Sequence, residues 1–65
     1  MNSIEIGVIA AMQTYGGNFI KRLADTYVAA DPDNRERIKE AFSEYWDRYL
    51  AMRLSMETED ADGQD

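Results

Sequence analysis

Apolar residues recur along this chain at helical spacing. Ile4, Val8, Ala11, Met12 and Tyr15 fall on one stripe of a 3.6-residue helix. Ile4, Ile6 and Val8 also alternate with Glu5 and Gly7 as a strand would, but the chain holds no second strand-like run to pair with them. The pattern therefore predicts a first helix over residues 3–15. Gly7 weakens that helix by about 1 kcal/mol relative to Ala. A second helix follows over 18–30, where Phe19, Ile20, Leu23, Ala24, Tyr27 and Val28 share a face and Lys21, Arg22, Asp25 and Thr26 lie opposite. Gly16-Gly17 suits the turn between the two.

The third segment opens on Ala30-Asp31-Pro32-Asp33-Asn34, with Asp31 as a helix N-cap and Pro32 at the first helical position. From there Ile38, Phe42, Tyr45, Tyr49, Met52 and Met56 keep a 4, 3, 4, 3, 4 rhythm, with Trp46 and Leu50 widening the seam. The unbroken rhythm predicts one helix over 32–56. Ser43 offers an alternative, as the cap of a new helix that would break the rod in two. The fold expected is all-α: a small three-helix domain of two short helices and one long C-terminal helix.

Length adds a constraint. With 65 residues there is one domain and a small core. The long helix would outreach its two short neighbours, leaving an apolar stripe in water. Self-association through Tyr45, Tyr49, Leu50, Met52 and Met56 covers that stripe, so the expectation is a two-fold helical homodimer.

Charge divides the chain. Glu57, Glu59, Asp60, Asp62 and Asp65 crowd residues 57–65, where no basic residue occurs. The formal net charge of −6 thereby falls to −1 over residues 1–56, with eight acids against seven bases. The expected organisation is a helical domain over 1–56 and a disordered acidic tail over 57–65. Net acidity argues against direct contact with nucleic acid. No run of ~20 apolar residues is present to span a membrane. The N-terminal stretch lacks a positive leader region, so the cytoplasm is the expected location.

Chemistry is the poorest part of the inventory. The chain has no His and no Cys, hence no imidazole base, no thiolate and no ordinary zinc or iron site. Glu36, Glu40 and Glu44 stand four apart, but a single helix face offers a row of carboxylates where a hard cation needs convergent oxygens. No cofactor or metal is expected, and no catalytic residue. Enzyme is the class the sequence supports least.

Binding fits better. Asp33, Glu36, Glu40, Glu44 and Asp47 gather in one arc of the third helix, opposite its apolar seam. Such a stripe serves either as a solvated face or as a surface for a basic partner. The candidate partner-binding residues are Glu36, Glu40, Glu44 and Asp47, with Trp46 as an aromatic anchor unless it packs in the core.

The string Tyr15-Gly16-Gly17-Asn18-Phe19, then Leu23-Ala24, Ala30-Asp31-Pro32-Asp33-Asn34 and Ala41-Phe42-Ser43-Glu44-Tyr45-Trp46, resembles small helical proteins encoded by bacteriophages and prophages. The resemblance covers residues 15–49 and excludes the first segment and the acidic tail. Relatives in that group carry Pro where this chain has Ser43, which bears on helix continuity there. It implies a role in binding and inhibiting or diverting a host protein, with a nucleic-acid-binding defence complex such as CRISPR as the type of target. It carries no catalytic residues. A structural oligomerisation or virion-assembly module is the alternative, and a small antitoxin-like regulator a further one. The last would need a basic recognition helix, and Arg35, Arg37 and Lys39 are interleaved with Glu36 and Glu40.

Overall fold

A computed structural model describes the backbone of residues 1–63 and the side chains of residues 1–56. Four helices follow one another: α1 (Ser3–Tyr15), α2 (Asn18–Ala29), α3 (Pro32–Ala41) and α4 (Ser43–Gly63). The domain is all-α, as the periodicity implies, but the three-helix expectation is wrong. The long third helix is two helices, divided at Phe42. The division into a helical domain and an acidic tail over 57–65 falls where side chains, and at 64–65 the backbone too, lie outside the described residues.

The bend has a packing cause. Phe42 leaves helical geometry at φ −119° and ψ 36°. Its ring meets Phe19 of α2 edge-on at 5.8 Å and Tyr45 of α4 at 6.4 Å. A straight rod could lie along α2 or along α1, and the bend lets α3 contact α2 while α4 contacts α1. Little hydrogen bonding is given up. The Phe42 N–H still donates to the Ile38 carbonyl at 2.9 Å, and the Trp46 N–H to the Phe42 carbonyl at 3.0 Å. The break considered at Ser43 falls one residue away, yet Ser43 makes no capping hydrogen bond; the boundary is set by where an aromatic ring packs.

Each helix start has its own local reason. Asn2 and Glu5 form a reciprocal capping box on α1, the Glu5 N–H donating to Oδ1 of Asn2 at 2.8 Å and the Asn2 N–H to Oε1 of Glu5 at 3.2 Å. That resolves the helix-or-strand ambiguity at residues 3–9 in favour of helix. Gly17 caps α2 without a side chain, and Asp31 caps α3 by accepting from the Asn34 N–H at 2.8 Å, with Pro32 behind it.

The helices close a ring of neighbours, α1 on α2, α2 on α3, α3 on α4 and α4 back on α1. Val8, Ile9, Ala11 and Met12 of α1 meet Ile20, Leu23, Ala24 and Tyr27 of α2 and Tyr49 of α4 in one core. Ile38, Phe42, Tyr45, Trp46, Leu50 and Met52 pack half-buried around it. The rhythm read as one seam is therefore kept through the bend, each part serving a different neighbour.

Two close approaches depend on glycine. A Cβ on Gly16 would lie 2.5 Å from the Met12 carbonyl oxygen and 2.4 Å from Cγ2 of Ile20. A Cβ on Gly7 would lie 2.2 Å from Nε of Arg53, whose side chain crosses α1 there. A side chain at position 7 would have to displace the Arg53 side chain.

Candidate functional site

The four candidate carboxylates stand on two helices: Glu36 and Glu40 on α3, Glu44 and Asp47 on α4, either side of Phe42. All four are exposed. Glu36 accepts from Nζ of Lys39 at 3.4 Å. Glu40, Glu44 and Asp47 have no cationic partner among the described residues. Asp33 and Arg37, four apart on α3, do not pair, nor do Glu44 and Arg48 on α4. Arg48 lies instead over the Tyr45 ring, 5.6 Å from its centre.

Trp46 takes the packing role. Half-buried, it sits 5.0 Å from the Tyr27 ring, with the Lys39 ammonium 5.2 Å from its own ring. The seam expected to join two copies also packs within one. Tyr49 is 7% exposed in the core. Tyr45, Leu50, Met52 and Met56 are half-buried, Tyr45 against Phe19 at 5.8 Å. α4 folds along α1, where Met52 and Met56 are half-buried while Leu54 stays exposed.

A polar cluster that sequence reasoning missed holds the acidic helices to the core. Glu5 of α1 accepts from the Tyr27 hydroxyl of α2, and Nζ of Lys39 of α3 stands 3.6 Å from its carboxylate. Tyr27 is 1% exposed, so its hydroxyl must find a partner inside. That hydrogen bond, with the Asn2 N–H, holds the Glu5 carboxyl below the usual 4.5. Burial, and then the bond to Glu5, push the Tyr27 phenol well above its ordinary value of 10. Arg35 adds a second stitch, donating from Nε to the Tyr27 carbonyl and from Nη2 to the Val28 carbonyl, each at 3.0 Å. These carbonyls end α2, where a cation is favoured. The Asn2-x-x-Glu5 spacing was a legible signal for the cap; the contact between Glu5 and Tyr27, twenty-two residues apart, was not.

Chemically the acidic face can attract a basic surface. No group of three or more Asp or Glu among the described residues could hold a metal ion. No helix among them is long and apolar enough to cross a membrane. No protein-family model, no curated protein and no solved structure matches the chain. The class defined is a small all-α, four-helix domain carrying an exposed acidic face.

Proposed function

We propose that this chain is a non-enzymatic binding protein that occludes a basic surface of a partner, working in the cytoplasm. The observation that carries this is the uncompensated charge of Glu44 and Asp47, held on α4, which the core anchors from behind. Carboxylates without intramolecular partners keep their field for an incoming molecule. They speed encounter with a basic groove, an effect that weakens with salt. The resemblance to phage proteins supplies the partner type, a nucleic-acid-binding host complex of the defence kind. The near-neutral body limits the electrostatic pull, so shape at the bend contributes as much as charge.

The test is capture from bacterial extract by tagged protein, with bound proteins identified, beside the Glu44→Lys/Asp47→Lys double variant. The wild type retains a basic protein at low salt and releases it at high salt. The double variant loses it while its stability changes by less than about 0.5 kcal/mol, as expected for exposed positions. Capture that survives both reversals would mean the face is merely solvated.

A further inference from the structure

A groove of about 540 Å3 runs between α2 and α3, away from the core. Thr26 and Ala29 of α2 and its C-cap Ala30 line one side, and Ile38 and Ala41 of α3 and its C-cap Phe42 the other. Asn34 and Arg37 add the polar groups, and Arg37 is the only charge. The Arg37 guanidinium has no acidic partner among the described residues, although Asp33 stands four positions before it and Glu40 three after. Glu40 is exposed and equally unpaired.

We propose that this groove is the interface of a two-fold dimer, in which α3 of one copy lies antiparallel in the α2–α3 groove of the other. Arg37 of each copy then pairs with Glu40 of the partner subunit. A two-fold axis between positions 38 and 39 sets 37 and 40 opposite each other twice, so one basic and one acidic residue on the same α3 become self-complementary. The alanines at 29, 30 and 41 give the floor little height, which lets a second helix come close. Need points the same way. A core of nine buried apolar side chains among the described residues is of the size that oligomerisation commonly stabilises. A small ligand fits less well, because such sites enclose about 70–90% of what they bind and this one is open along its length. The interface is also distinct from the α4 seam, which the core already occupies.

Sedimentation equilibrium from micromolar to millimolar protein tests the proposal, using wild type, Arg37→Glu, Glu40→Arg and the double reversal Arg37→Glu/Glu40→Arg. Wild type shifts from the 7.5 kDa protomer to twice that mass as concentration rises. Each single reversal places like charges together and weakens association by about tenfold or more. The double reversal restores it. Both positions are exposed, and unchanged helical circular dichroism verifies folding in each variant. A protomer at every concentration, a dimer indifferent to both single reversals, or a double variant that fails to recover would each overturn the interface.

Discussion

α1 and α2 bury their residues, whereas α3 and α4 mostly shelter them. Every buried apolar side chain among the described residues belongs to the first pair, except Tyr49. α3 buries none. The second pair contributes half-buried rings and long aliphatic stems to a shared boundary, and turns carboxylates outward. The difference separates two jobs that a larger protein would assign to separate layers. One hairpin supplies the adhesion, and the other supplies the surface. Because the outer pair depends on the inner one for its position, damage to the inner pair should abolish both folding and recognition. Damage to the acidic face should abolish recognition alone.

The sharpest way to break that division is Tyr27→Ala. Tyr27 links the pairs through its ring on Trp46 of α4, and its hydroxyl ties α2 to Glu5 of α1. Removing a buried aromatic ring costs about 3–5 kcal/mol. A domain of this length holds about 3–10 kcal/mol in total, so chemical denaturation should find a third or more of the stability gone. Tyr27→Phe keeps the ring and loses one hydrogen bond to a carboxylate, about 1.5–3 kcal/mol. Next comes the α1–α2 turn. Gly16→Ala forces a methyl group against the Met12 carbonyl and should cost about 1–3 kcal/mol. Gly17→Ala meets nothing within 4 Å and loses only a tolerable cap residue, less than about 1 kcal/mol. Equal melting temperatures for the two alanine variants would show that the turn is looser than its geometry.

The smallest effect is acid sensitivity. Glu5 has a depressed pKa in the folded chain, so its contribution is present above the ordinary 4.5 and is lost as pH falls through the folded value. Thermal melting should therefore weaken below about pH 4.5, and Glu5→Gln should flatten part of that slope. Tyr27 works in the opposite sense. Its raised pKa makes the neutral phenol part of the fold, so stability declines as pH rises beyond 10.

Much of the architecture could be read from local spacing. The all-α class, the turn at Gly16-Gly17, the Asp31-Pro32 start and the inward Ile20, Leu23, Ala24 and Tyr27 of α2 all rest on short-range periodicity and capping chemistry, whereas Phe19 and Val28, assigned to the same face, stay exposed. The break was half legible: Ser43 was weighed as the start of a second helix, and α4 does start there. The contact of Phe42 with Phe19, twenty-three positions away, had no local mark. The rhythm through 38–56 was a correct record of which residues face inward and a poor guide to how many rods carry them. At the candidate site, exposure of Glu36, Glu40, Glu44 and Asp47 agrees with the helical wheel. Trp46 is where the wheel was weakest, because a residue at the seam's edge is assigned by what lies across from it, here Tyr27 and Lys39. The α2–α3 groove had no signature in either helix alone.

That α4 returns to lie on α1 has a consequence for how the molecule is made. A nascent chain emerges N-terminus first, so Val8 and Met12 leave the ribosome long before Tyr49 exists to cover them. The first hairpin must wait, one side of its core open, until α4 has emerged. A chaperone that shields that side of the newborn α1 would compete with α4 for it.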